Sequence, residues 1–486
     1  MSSALAKNTL WLTVASVGQK VIAFLYFALI ARTIGDDATG SYFLALALTT
    51  SLAVLDDIGL TSLLVREVAK GPERALLFVR NTLGWKLLTM PVTVILALLL
   101  PATLGFNAET AGLTTIAIAV MLADTLSLTF YGVMRGLQNL RYESIGICVG
   151  QLITATIGGV AIVTGLTDLR VLIVALIAGS VWNAIFAAYQ VVRRLGLEAL
   201  VPTLSMGFAP VKASFMFFLA AVFVKIYSYV DSFTLNRILG EGAVGDYSAA
   251  YKLTYAFQFL PLAFVGALYP AFAALKDTVE LKKTFLKAVW YLSLLSAPIV
   301  FGIYSLAPEI ILKFYGADYA EGILPLQILI FVLIVIFLDF PIGAILNARG
   351  FQATKTTIMG FTMVINIAAN LILIPRLGIP GAAVAAVISF VFMFSAGWLA
   401  MRKVIEVHII ELLRETWGLY AAGITMAVVV ITAKELIPWM LTIPLGAAVF
   451  LLVAVITKAI DKSHLQALRS LLIRRKVYAE DTPAHD

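Results

Sequence analysis

Lys20 and Lys225 each stand near the middle of a long apolar stretch. A charge at that depth in a bilayer costs roughly 2.5–3.5 kcal/mol on insertion scales and normally faces a partner or a water-filled cavity. An ammonium group left without a carboxylate there is a receptor for an anion, and two of them suit a diphosphate, because charge-assisted bonds gain strength in a lowered dielectric. Lys86 and Lys252 lie nearer the ends of their apolar stretches, so each either snorkels to the interface or adds to the same cationic surface. The buried acids are Asp124, Asp231 and Asp339, with Asp56 and Asp57 closer to the end of a stretch, in "LDDIGL". Two roles are open for the central lysines: holding an anionic cargo, or pairing with a carboxylate of a neighbouring helix such as Asp124 or Asp339. The roles can coexist, since a carboxylate that competes with the cargo for a lysine couples release to a conformational change.

Helical geometry separates Lys225 from its neighbour Asp231. Six residues along a helix rise about 9 Å and turn about 240°, so the two side chains point about 120° apart and do not form one ion pair. Lys225 instead shares a face with Ser228, Tyr229, Ser232 and Asn236, and Lys20 shares one with Ser16, Thr13 and Thr9. The candidate cargo-binding residues are therefore Lys20, Lys225, Lys252, Lys86, Ser16 and Tyr229. The candidates for coupling or gating are Asp124, Asp231, Asp339 and Asp57. Asp231 suits either packing or ion coupling, and Asp56 and Asp57, just before Gly59, also suit the cap of a helix break.

The elements that must hold these residues are transmembrane helices. Hydrophobic residues make up 61% of the 486 and charged residues only 13%, too few for a soluble globular chain at about 25%. Stretches of roughly 20 apolar residues recur along the chain, whereas barrel strands would alternate in segments of about ten. Fourteen spans are expected, at 9–31, 40–63, 81–105, 111–133, 144–165, 168–192, 213–236, 246–272, 286–308, 322–347, 356–375, 379–401, 415–436 and 438–460. Lys and Arg number 25 on one side of these spans and six on the other, which puts both termini in the cytoplasm. The net charge of +7 follows from that asymmetry and calls for no nucleic-acid partner. The N-terminal stretch is too long for a cleaved signal and is expected to stay as the first span. After the last span, Leu465, Leu468, Leu472 and Ile473 recur at helical spacing among basic residues, as in a helix lying on an anionic leaflet. The single cysteine, Cys148, excludes an intrachain disulfide, and His408, His464 and His485 are too scattered for a metal site. Pro261, Pro270, Pro298, Pro325 and Pro341 mark expected kinks.

The chain also repeats itself. "ARTIGDDATGSYFLALALT" aligns with "NRILGEGAVGDYSAAYKLT" 205 residues later, pairing Lys20 with Lys225, Arg32 with Arg237, Gly35 with Gly240 and Gly40 with Gly245. "RGLQNLR", starting at Arg135, aligns with "RGFQATK", starting at Arg349. A parallel duplication of six spans is a transporter architecture with its site between the halves. The expected fold is all-α and integral to the membrane: a six-helix lobe at 1–195, a linker at 196–212, a second lobe at 213–403, two further helices at 404–460 and a basic tail at 461–486. The equivalence of Lys20 and Lys225 predicts that they face each other across the cleft.

These motifs, with "DDIGLTSLLVREVAK" and "LNARGFQATKTTIMGFTMVINIAANLILIPRLGIPGAAVAAVIS", resemble the polysaccharide transporter family of O-antigen-type flippases. That family is related to the lipid II flippase and to the multidrug and toxin extrusion (MATE) carriers, so the lobes are expected to be MATE-like. The resemblance implies a flippase, not an enzyme, that moves a polyprenyl-diphosphate-linked oligosaccharide across the cytoplasmic membrane by alternating access. It implies no cofactor, and as partners the lipid-linked substrate, the bilayer, a coupling H⁺ or Na⁺, and other polysaccharide assembly proteins. The rival is an ion-coupled antiporter of organic cations, which would place carboxylates on its first helix, where this chain has Lys20 and no acid. No Walker-type loop is present, so ATP is not the direct energy source. A membrane-embedded glycosyltransferase would need catalytic loops, for which the short connections leave no room.

Overall fold

In lipid, every backbone amide must find its partner within its own segment, so apolar stretches of this length form helices. The computed structural model describes residues 3–460, apart from the side chains of residues 3–16 and 267. The tail at 461–486, with its expected interfacial helix, lies outside the described residues, as does the side chain of Ser16.

The first half contains α1 (Ser3–Ile34), α2 (Asp36–Asp57), α3 (Leu60–Val68), α4 (Pro72–Thr103), α5 (Ala108–Gly136), α6 (Leu140–Val163) and α7 (Leu169–Leu195). The second continues with α8 (Ala209–Leu239), α9 (Glu241–Ala256), α10 (Phe259–Ala274), α11 (Thr278–Ser305), the short α12 (Ala307–Ile310), α13 (Ile323–Leu329), α14 (Val332–Ala348), α15 (Gln352–Leu377) and α16 (Ile379–Met401). α17 (Ile409–Ala433) and α18 (Trp439–Ile456) follow. No strand occurs among the described residues. Thirteen of these segments are long and apolar enough to cross a membrane, and a pair bent by 40° makes a fourteenth, in line with the expected spans.

Three expected spans are interrupted. The second breaks at Ile58 and Gly59, both left-handed at φ 44° and 70°. The eighth turns at Phe257 and Gln258, where Pro261 has no amide to offer the carbonyl four residues earlier. The tenth bends at Ile330 and Phe331, between Pro325 and Pro341 rather than at either. Polar caps close several helix ends: Asn107 accepts from the Thr110 amide at 2.7 Å, and His408 and Glu411 form a capping box at the start of α17.

The chain divides into two compact units. The larger, residues 3–274 and 307–404, holds the first half and all of the second half except α11. In it α2 crosses α9 closely, and the crossing obeys the repeat. A β-carbon on Gly40 would overlap the Glu241 carbonyl, and one on Gly245 would overlap the carbonyl of Asp36, the residue equivalent to Glu241. Small residues are what allow transmembrane backbones this close, since apolar side chains have no greater liking for one another than for lipid. Around this crossing the Glu241 carboxylate accepts from Ser41, Thr110 and Asn107, and the Tyr319 hydroxyl donates to the Ala31 carbonyl and accepts from the Thr39 hydroxyl.

The smaller unit, residues 275–306 and 405–460 of the described chain, contains α11, α17 and α18. Tyr420 bonds Ser293 at 3.2 Å, Trp290 donates to the Ala459 carbonyl, Lys434 to that of Ser305, and Lys282 pairs with Glu411 at 2.6 Å. The sequence repeat makes α11 the counterpart of α4. Yet α4 packs on α2, α3 and α5 of its own half, whereas α11 packs on the two helices outside the duplication.

Candidate functional site

Two cavities in the larger unit hold three of the charged candidates, Asp124 and Lys252 in one and Asp339 in the other, while Lys20 lines neither. One, about 390 Å³, is lined by α1, α2, α5, α6 and α7 and by Tyr229 and Lys252 from the second half. The other, about 690 Å³, is built wholly from the second half and includes Tyr227, Tyr251, Tyr255, Asp339 and Lys355.

Lys252 reaches the first cavity with its ammonium 5.1 Å from the Phe27 ring centre and 5.4 Å from that of Phe43. Rings within about 6 Å attract a cation through their quadrupole without neutralising it. Lys20 lies close enough to Lys252 for the two charges to act on each other. The structure therefore sets Lys20 with Lys252, not with Lys225. Helix α1 packs on α6 and touches α9, whereas α8 packs on α15 and α2. Lys225 rests over the Tyr229 ring at 5.8 Å, on its own helix, and lines neither cavity. Among the described residues, Lys20, Lys225 and Lys252 belong to no salt bridge.

The acids are engaged elsewhere. Asp124 and Ser180 line the Lys252 cavity together. Arg135 and Glu143, also in that lining, form a two-pronged ion pair. Asp339 is taken by Lys355, at 2.7 and 3.0 Å from its two oxygens, so it is not the partner of either central lysine. In the sequence Lys355 is only the last residue of the repeated motif that starts at Arg349. Its stem passes Gly343, four residues after Asp339, where a β-carbon would stand 3.4 Å from it, at ordinary contact distance. Asp231 is buried and accepts from the Tyr247 hydroxyl at 2.6 Å and from the Ser232 amide at 2.7 Å, so it ties α8 to α9 and has no contact with Lys225.

Lys86 departs furthest from expectation. It is only 1% exposed, donates to Thr125 at 2.8 Å and lies 3.5 Å from Asp57, so it neither snorkels nor lines a cavity. Asp57 in turn accepts from the amide and hydroxyl of Thr61 and so caps α3 at the break in the second span.

A chain of aromatic rings, of which only Tyr229 stood out in the sequence, joins the two cavities. Phe43 and Tyr229 meet Tyr251 at 5.7 and 6.1 Å between centroids, Tyr251 meets Tyr255 at 4.4 Å, Tyr255 meets Phe390 at 6.3 Å and Phe390 meets Tyr227 at 5.8 Å. The spacing of Tyr247, Tyr251 and Tyr255, four apart on α9, is the sequence signal for it.

The fold is similar to that of solved transporters. A lipid II flippase MurJ in an inward closed conformation superposes with a TM-score of 0.72 over 92% of this chain and 98% of that one, at 17% identity. An inward-facing multidrug resistance MATE family transporter gives 0.63 over 79% and 94%, at 16%. In sequence the chain is 25% identical over 395 residues to a protein named probable low-salt glycan biosynthesis flippase Agl15, of Haloferax volcanii, covering 79% of this chain and 81% of that one. It is 23% identical to the succinoglycan biosynthesis transport protein ExoT of Rhizobium meliloti, over 65% of this chain and 63% of that one. Residues 5–276, more than half of the length, match the polysaccharide biosynthesis protein family, to which this multi-pass membrane protein belongs.

Proposed function

We propose that the protein is a flippase that carries a lipid-linked oligosaccharide across the cytoplasmic membrane by alternating access, with the diphosphate of a polyprenyl-diphosphate glycan held at Lys20 and Lys252. The observation that carries this proposal is the proximity of two ammonium groups at the junction of the halves with no carboxylate in ion-pair contact with either. An anionic cargo relieves their repulsion and gains charge-assisted hydrogen bonds in exchange. The aromatic chain then offers the sugar rings a path of apolar faces and hydroxyl edges from the diphosphate into the larger cavity. The names of the relatives, a glycan flippase and a polysaccharide transport protein, agree with this direction.

With the basic loops inside, the Gly40–Gly245 crossing lies at the outer end, both termini are cytoplasmic, and the present conformation is closed outward. Export of organic cations, the alternative, draws on Asp124 in the cavity lining, but Lys252 in the same lining opposes it. Reconstitution into vesicles with a fluorescent polyprenyl-diphosphate sugar and, in parallel, a cationic dye separates the two. Movement of the lipid-linked sugar alone supports the flippase, and movement of the dye alone overturns it.

A further inference from the structure

The break in the second span holds a group of charges that the cavities leave unused. Asp56, in the last turn of α2, is 0% exposed. Its Oδ1 accepts from the Thr93 hydroxyl at 2.6 Å, but its Oδ2 is buried and meets no hydrogen-bond donor among the described residues. An ionised carboxylate is rarely left so in a protein interior. The charges that act on Asp56 are Lys86 of α4 and Asp57 of its own helix. From α5, Arg135 acts on Asp57 but is itself paired with Glu143. From α8 comes only a hydroxyl, Ser214, which donates to the Ile58 carbonyl at 2.8 Å. Two carboxylates therefore share one buried ammonium, and that ammonium lies with Asp57.

We infer that Asp56 is a proton-binding site, and that its protonation and release move the joint between the two halves at the break in the second span. The inference rests on the transporter function proposed above. One proton on Asp56 balances the charges, leaving an Asp57 carboxylate with a Lys86 ammonium. Loss of the proton sets the two carboxylates in competition for Lys86, and Asp57 is also the cap of α3. The backbone there is poised to respond. Ile58, a β-branched residue, is held left-handed at φ 44°, a conformation that persists only while its surroundings enforce it. Gly59 is pressed so tightly on α8 that a β-carbon would stand 2.7 Å from the Phe218 nitrogen and the Ser214 oxygen. A change at Asp56 is thus passed through the α3 cap to the contact between the first half and α8, and this closed packing favours the protonated form. A hard metal cation fits less well than a proton, since it needs a shell of oxygens and an ammonium already lies beside the carboxylates. The site is one-sided, because the repeat places Pro261 and Leu262 where the first half has Asp56 and Asp57.

The test uses the full-length protein in lipid nanodiscs, without substrate. Infrared difference spectra across a pH step should show a protonated-carboxyl band in the wild type that is missing from Asp56→Asn. Spin labels placed on α3 and α8 in a Cys148→Ser background should report a distance that changes with pH, fixed at its low-pH value in Asp56→Asn. Thr93→Val, which removes the donor to the carboxylate, should move that transition to higher pH. An unchanged band and an unchanged pH-dependent distance in Asp56→Asn overturn the inference, as does a distance that follows Na⁺ and not pH. Neither readout involves a glycan, so failure here is distinguishable from failure of the flippase assignment.

Discussion

A β-carbon on Gly40 of α2 would stand 3.0 Å from the backbone nitrogen of Gly245 on α9, its own counterpart in the repeat. The two halves thus close on each other through equivalent glycines. Gly40→Ala should disfavour this packing by about 1–3 kcal/mol, shifting the balance between closed and open forms about 5- to 150-fold. Spin-label distances between the start of α2 and the start of α9 check it, and an unchanged distribution contradicts it.

Removing the charge from Lys20 and Lys252 together should cut flipping of a polyprenyl-diphosphate sugar by at least about 10-fold, on a scale of about 1.5–3 kcal/mol per charged hydrogen bond. Arginine at the same positions should retain part of the activity. Full transport by the Lys20→Gln, Lys252→Gln variant, with normal membrane insertion, sinks the cationic site.

Lys86→Met leaves Asp56 and Asp57 facing each other without their ammonium. A buried pair that loses one partner costs about 3–5 kcal/mol, so the variant should unfold at a clearly lower temperature in detergent or nanodiscs. Adding Asp57→Asn should recover part of that loss. If Lys86→Met is as stable as the wild type, the pairing contributes little.

Glu67, at the end of α3 and almost wholly buried, is gripped by Lys70 and Arg74, which hold its carboxyl below the usual glutamate range despite the burial. A carboxyl whose folded value is depressed stabilises the fold fully above its unfolded value, and that contribution is lost as pH falls through the folded value. The wild type should therefore lose thermal stability on acidification below about pH 5 more steeply than Glu67→Gln. Equal slopes in the two proteins contradict the assignment.

The helical spans were legible in the sequence, because the length of an apolar stretch is a property of each segment alone. The duplication was legible too, and Gly35 and Gly240 do occupy matching positions, as left-handed residues at the starts of α2 and α9. The geometry of Lys225 and Asp231 followed from helical rotation, and no ion pair joins them. What the sequence left hidden was which helix each charged face meets. Periodicity places Lys20 and Lys225 on equivalent faces, but only the packing of α1 on α6 and its contact with α9 brings Lys252 to Lys20. Lys86 read either as a snorkelling residue or as part of the cationic surface, because its depth was visible and its partner Asp57, 29 positions earlier, was not. Lys355 was missed for the same reason, since its bond to Asp339 crosses from α15 to α14.

The company kept by α11 bears on how short this protein can be made. A duplication of six spans suggests that twelve helices form a self-sufficient machine and that the last two are ornament. Yet Trp290, Ser293, Phe301 and Ser305 of α11 spend their contacts on α17 and on the turn after α18. A chain cut at residue 404 strips a span of the second half of those neighbours. The smallest piece that can be expected to assemble therefore runs to about residue 460, with the two late helices giving α11 the partners that α4 finds within its own half.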